Sequence, residues 1–448
     1  MRRAVLAAAA AATSVCAACR APAPPEAKPD KPVHVSAGSN MTVAASSAAP
    51  QSKGGMVEGA TTVRPHHEEP VVECPAAIAD STDDDARVSA LLDEANKQIE
   101  RAQYAAAWTC ADRASDLSPT SVEAQHLRGA ALAALGRESE AQTAYALALA
   151  LDPDDPETLR AVADFYINGK GEHGRDALRL GLELAQRGSR RAEARRRRNP
   201  PLVADLAVLE AQALNDLGRS DEALVRVGAA LRIAPGRGDA LHEKGVALFD
   251  LSRFTDARGV LQKAIGIQPD DAYTHQMLGL TLEQLADPKG AETELSRALE
   301  LAPTELSRPV LITVPEFQKE IDVVIATLPA ERKARVKAIK VEIADLPDPS
   351  DLAAVTPPFP PTILGLYRGP VGHAAEVPAQ PGPGPGPGSG PGPGPEEEPV
   401  SIVLYRKNLA RAVKTRTELS EQIRDTLLHE IGHLEGLDED DLRRRGME

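Results

Sequence analysis

The sequence predicts a multidomain protein: an all-α solenoid of helical hairpins followed by a small α+β domain. Three observations predict it. Alanine is abundant and aromatic residues make up only 3% of the chain, which suits close-packed helices better than a sheet sandwich. Between residues 84 and 305, small residues and prolines recur at intervals of 34. Beyond residue 310 the pattern changes to short alternating apolar runs that end in one helix carrying two histidines. A chain of 448 residues has room for two or three domains. Its formal net charge of −15 argues against a general nucleic-acid binder, whose phosphate contacts need a basic face.

The first residues are not expected to belong to the fold. Arg2 and Arg3 precede an Ala-rich apolar run, Val5–Val15, too short to span a bilayer. Residues 1–18 read as a secretory signal peptide. The stretch CAAC ending at Cys19 resembles a lipobox, with Cys16 where Leu is usual. That resemblance implies a lipid on Cys19. The chain is then expected to be exported and held on a membrane, facing the periplasm or the cell exterior. Cys74 and Cys110 could pair in an oxidising compartment. Residues 19–83 are rich in Pro, Ala and Ser and read as a disordered tether. His66, His67, Glu68 and Glu69 lie within it and read as a solvated patch rather than a metal cluster.

Residues 84–305 carry the repeat. Pro119 and Pro153 are 34 residues apart, as are Pro235, Pro269 and Pro303. In that register Ala95, Gly129, Ala211, Gly245 and Gly279 share one position. Ala107, Ala141, Ala223, Ala257 and Ala291 share a second, and Ala114, Ala148, Ala230, Ala264 and Ala298 a third. Small side chains let the helices of a hairpin approach, and the proline ends each unit. The interval from Pro153 to Pro201 is 48 residues, so the third of about six hairpins carries an insertion. The basic run Arg190–Arg198 within it reads as a solvated helix extension. Period and small-residue positions resemble the tetratricopeptide repeat. The resemblance implies a curved solenoid whose inner face holds a protein partner. Its Ala-rich concave side is expected to offer no chemistry.

In residues 310–448, Val314–Leu328 has helical apolar spacing. Val336–Ile343, Ile363–Tyr367 and Ser401–Tyr405 read as strands. Between the last two lies a Gly/Pro insertion, 373–399, that can be neither helix nor sheet. Glu418–Leu434 is the last helix. It places His429 and His433 one turn apart on one face, where two imidazoles can grip one zinc ion. Glu430 stands beside them to take a proton as general base. Gly436 ends the helix, and the acidic run Asp438–Asp441 follows. Six residues after the second histidine stands Glu439, the expected third metal ligand, with Asp438 and Asp440 as alternatives. Tyr367 and Tyr405 are candidate oxyanion stabilisers because they end strands near the site.

The segments VPEFQKEIDVVIATLP, KVEIADLP, LGLYRG, IVLYR and TLLHEIGHLEGLDEDDLRRRG follow in the order of the minimal zincins, which Ile312–Gly446 resembles. That resemblance implies Zn(2+) on His429 and His433, Glu430 as general base, and Glu439 where Asp is usual. The expected function is a membrane-anchored zinc metallopeptidase acting on a protein or peptide substrate that the repeats recruit, with no nucleic acid involved. The alternative is a protein–protein interaction scaffold with an inert C-terminal domain. A further possibility is autoinhibition by the Gly/Pro insertion.

Overall fold

A computed structural model describes residues 73–74, 83–169, 174–194, 199–369, 400–437 and 439–444. Residues 1–18, Cys19, His66–Glu69, nearly all of the tether, Arg195–Arg198 and the insertion 373–399 lie outside the described residues. Among those described, no helix is long and apolar enough to cross a membrane.

The first part is a row of antiparallel helix pairs. They are α1 (Asp84–Glu100) with α2 (Tyr104–Leu117), α3 (Val122–Ala134) with α4 (Glu138–Leu151), and α5 (Pro156–Asn168) with α6 (Arg175–Ala194). Then come α7 (Pro200–Asp216) with α8 (Ser220–Ile233), α9 (Gly238–Asp250) with α10 (Phe254–Ile267), and α11 (Ala272–Gln284) with α12 (Pro288–Leu301). The periodic alanines of the second and third registers are at most 2% exposed. The glycines of the first register are required for close approach. A methyl on Gly129 would stand 2.7 Å from the Tyr145 ring, and one on Gly279 would stand 2.6 Å from Leu295 Cγ. Each receiving side chain lies sixteen residues on, in the second helix of the same pair. The insertion in the third pair lengthens α6 to 20 residues, against 14 for α4.

Several helix starts are capped by side chains that the loops supply, whereas α2, α4, α8, α9 and α10 start without a side-chain cap. Ser121 Oγ accepts from Ala124 N, and Asp155 Oδ2 from Thr158 N with Pro156 at the first helical position. The turns inside five of the six pairs use one left-handed residue each: Ala102, Gly136, Gly218, Ser252 and Ala286, with φ between 57° and 76°. Three of the five are not glycine and carry backbone strain. A relay invisible to apolar periodicity also recurs. His126 Nδ1 donates to Thr158 Oγ1, which donates to Asp155; His242, Thr274 and Asp271 repeat the arrangement.

The upstream chain is stapled to the first pair by a disulfide, Cys74–Cys110. The array also carries polar chemistry between its seams. A cavity of about 870 Å³ opens there, walled by Tyr104, His126, Arg160, Asp164, Gln212 and Arg237 among others. Alanine dominates the helix seams, whereas the residues between the seams are free to be polar.

The second part begins with α13 (Val314–Thr327), started by a capping box between Thr313 and Glu316. Next come α14 (Ala330–Ala338), β1 (Lys340–Ala344), the short α15 (Pro349–Leu352), β2 (Gly365–Arg368) and β3 (Ser401–Tyr405). The segment closes with α16 (Arg406–Ala412), α17 (Arg416–Leu434) and α18 (Glu439–Arg444). The strand expected from Val336 starts only at Lys340. The preceding AERKARVKA consists of helix formers apart from Val336, which points into the core. The sheet order is β1-β3-β2, with β1 parallel and β2 antiparallel to β3.

β3 is buried along its whole length because both faces of the sheet are covered. Ile402 and Leu404 pack with Phe317, Ile321, Ile423 and Leu427 of α13 and α17. Val403 and Tyr405 face the other way. There they share one apolar cluster with Leu352, Phe359 and Leu366, and with Leu248, Phe249 and Leu282 of the repeat array.

Candidate metal centre

α17 is 19 residues long and starts where Thr415 Oγ1 accepts from Glu418 N. Its last turns are enclosed on all sides. His429 is 3% exposed, Glu430 0% and His433 2%. The two imidazoles meet edge to face, ring centroids 4.7 Å apart, with their Nε2 atoms 3.1 Å from each other.

The turn after the helix sets the state of His433. Gly436 adopts φ 80°, Gly436 N donates to His433 O, and Leu437 N donates to Gly432 O. This fold-back brings the Leu437 carbonyl 3.1 Å from His433 Nδ1. Nδ1 therefore carries the proton, and Nε2 presents its lone pair toward His429. In a tetrahedral zinc site two nitrogens each about 2.0–2.1 Å from the ion stand roughly 3.3 Å apart. The observed pair fits that donor geometry.

Glu430 lies against the start of β2. A methyl added to Gly365 would stand 3.3 Å from Glu430 Oε1 and 2.7 Å from Thr426 Cγ2, so only glycine lets the strand come this close. Among the described residues no three His, Cys, Asp or Glu side chains form a cluster suited to a metal ion. Asp438 and the side chains of Glu439 and Asp440 lie outside the described residues. The backbone from Glu439 forms α18, and Leu442 packs there with Leu437 and Leu428.

The two tyrosines divide. Tyr405 is fully buried and its hydroxyl donates to Asp351 Oδ2 at 2.9 Å, so its one O–H is spent on structure. Burial first, and Asp351 second, push that hydroxyl above the ordinary tyrosine range. Tyr367, half-buried on β2, is pushed the same way by desolvation.

Sequence reasoning missed what holds Tyr405. Asp351 is buried, and Arg368 grips it with two bonds, Nε at 2.9 Å and Nη2 at 2.7 Å. That pairing raises the Arg368 pKa. A signal was present in the two Tyr-Arg dipeptides, Tyr367-Arg368 on β2 and Tyr405-Arg406 where β3 passes into α16. Their arginines serve different carboxylates, since Arg406 binds Asp345. Arg335 also reaches Glu435 at 3.2 Å, tying α14 to the end of the histidine helix.

The family profile described as zincin-like metallopeptidase matches residues 336–447. The chain carries a zincin-like metallopeptidase domain. Tetratricopeptide-repeat profiles match 122–155, 208–272 and 242–305, so the zincin-like domain is preceded by tetratricopeptide repeats. No curated protein matches the chain. Among solved structures, Pseudomonas aeruginosa PilF is similar at 14% identity, covering 49% of this chain and 94% of that one, with a TM-score of 0.42. The type IV pilus biogenesis factor PilW is 14% identical over 48% and 94%, with a TM-score of 0.41. YrrB, a TPR protein with an unusual peptide-binding site, is 15% identical over 43% and 93%, at 0.33.

Proposed function

We propose that this chain is an exported, lipid-anchored zinc peptidase whose repeats hold a protein partner. The observation that carries the peptidase reading is the convergence of the two imidazole Nε2 atoms with His433 Nδ1 already committed to Leu437. His429 and His433 would hold zinc, with a carboxylate of the following turn, Glu439 or else Asp438 or Asp440, as third ligand. When bound, the ion supplies Lewis acidity to a scissile carbonyl. Glu430, next to His429 on the helix, accepts the proton of the attacking water and returns it to the leaving amine. Gly365 leaves the space in which its carboxylate sits.

The Cys74–Cys110 disulfide supports an oxidising compartment, in keeping with a signal peptide and a lipid on Cys19. The cavity in the repeats supports the partner reading. Glu138, Asp164 and Glu305 on its wall favour a basic, extended peptide, while Arg237 is already paired with Asp205 and Asp239.

A second reading is a binding scaffold with an inert zincin-like domain. One observation favours it: the near-complete burial of His429, Glu430 and His433, since structural zinc sites are closed and catalytic ones keep an open position. Metal analysis with a peptide-library cleavage assay separates the two. For the peptidase, one equivalent of zinc accompanies cleavage that EDTA abolishes. Glu430→Gln then keeps the zinc and loses activity by a factor of about 10² to 10⁴, the range of general-base catalysis. Zinc without cleavage establishes the scaffold.

A further inference from the structure

The last hairpin of the array breaks its own pattern at one place. Four residues after the small residue of each first helix stand Ile99, Ala133, Ile167, Asn215 and Phe249; in the sixth pair it is Glu283. In the array this position reaches the next unit. Asn215 Nδ2 donates to the carbonyl of Glu243 at 3.0 Å and to its carboxylate at 3.1 Å, both on the following first helix. For Glu283 the next element in reach belongs to the zincin-like domain. Lys407 Nζ donates to Glu283 Oε1 at 3.1 Å and Arg411 Nη2 donates to Oε2, both from α16. The Glu283 side chain is 8% exposed. Around this clamp, Leu278 and Leu282 of α11 share an apolar cluster with Phe359, Leu366 and Val403.

We infer that the zincin-like domain stands where a seventh hairpin would, with α16 capping the array, and that Glu283 is a positioning residue for the histidine site. α16 passes the constraint on. Asn408 Nδ2 donates to the carbonyls of Pro361 and Ile363, at 2.9 and 2.8 Å. Those carbonyls lead directly into Gly365, the residue against which Thr426 and Glu430 pack. Glu283 thus sets α16, α16 sets the entry to β2, and β2 sets the wall beside Glu430. A solenoid end needs a cap to cover its last apolar face, and here the cap is the domain carrying the site. Neutralising Glu283 leaves two cations facing a buried group that no longer balances them. The structural coupling stands on these contacts alone; its bearing on hydrolysis rests on the proposed function.

Hydrogen exchange on the full chain tests it. In Glu283→Gln, amides of residues 361–368 and 406–412 are expected to exchange about tenfold faster, while α1–α8 keep wild-type protection. Asn408→Ala should loosen 361–368 and leave α11 and α12 unchanged, which fixes the order of the chain of contacts. Unchanged exchange at 361–368 in both variants overturns the inference. So does a rise in Glu283→Gln that spreads evenly through α1–α12, which marks a defect of the array itself. If the wild type cleaves a peptide, Glu283→Gln lowers kcat and spares KM. If it cleaves none, the peptidase reading fails while the exchange result still decides the clamp.

Discussion

The repeat array and the zincin-like domain are built on opposite principles. In the array each structural decision is made several times over. Five alanines fill one seam and five another, five left-handed residues make the turns, and two His–Thr–Asp relays tie successive hairpins. In the zincin-like domain each decision is made once. One glycine admits β2, one Asp gathers Arg368 and Tyr405, and one turn presents a carbonyl to His433. A defect in the array is diluted among neighbours, because stability there is close to a sum over units. A defect in the zincin-like domain has no second copy to lean on.

The contrast is sharpest at Asp351. Asp351→Ala leaves the Tyr405 hydroxyl without its acceptor and leaves Arg368 with Glu342, 3.5 Å from Nη1, in place of a two-bonded carboxylate. The expected loss is about 3 kcal/mol, the lower end for breaking a buried ion pair because Arg368 is partly solvated. Chemical unfolding followed at Trp108, the single tryptophan, which lies in the array, should report little change. Exchange protection of β2 and β3 should collapse. Equal loss in both parts would break the comparison.

The array offers the converse case. Ala286 holds φ 57° in a turn where Gly136 and Gly218 serve the same purpose. Ala286→Gly is expected to stabilise the sixth hairpin by about 1 kcal/mol, from relief of left-handed strain less the added chain entropy. The denaturant midpoint of the array should rise, and a fall would show that the strain is compensated locally.

A further effect concerns acid. Burial first, and Arg160 second, lower His126 to about 4 from an ordinary 6.5, with Asp155 opposing. A depressed histidine pKa means that the unfolded chain binds the proton more readily. Its contribution is therefore intact above 6.5 and is lost as pH falls toward about 4. His126→Gln should flatten that acid limb of array stability, read from urea midpoints on either side of the window. An unaltered slope would assign the acid sensitivity to other groups.

Much of this could be read directly. The 34-residue period, the seam alanines and the first-register glycines are local facts, and so is the one-turn spacing of His429 and His433. Helix geometry converts such spacings into shared faces whatever the rest of the chain does. The strand at Ser401–Tyr405 was equally legible, because an unbroken apolar run of that length suits a strand covered on both sides. The strand expected from Val336 was not, since alternation over a few residues cannot outweigh the helix propensity of the charged stretch before Lys340.

Other features belong to the tertiary structure alone. Tyr405 with Asp351 joins positions 54 apart, and Arg411 with Glu283 joins positions 128 apart. No period links such partners, and a carboxylate in a sequence does not say which cation will face it. The wall of the array's cavity is polar for the same reason: its residues lie between the seams, where packing imposes no rule. Backbone geometry makes the local pattern of this protein readable in one dimension, whereas side chains that meet only once distant segments have packed are chosen in three.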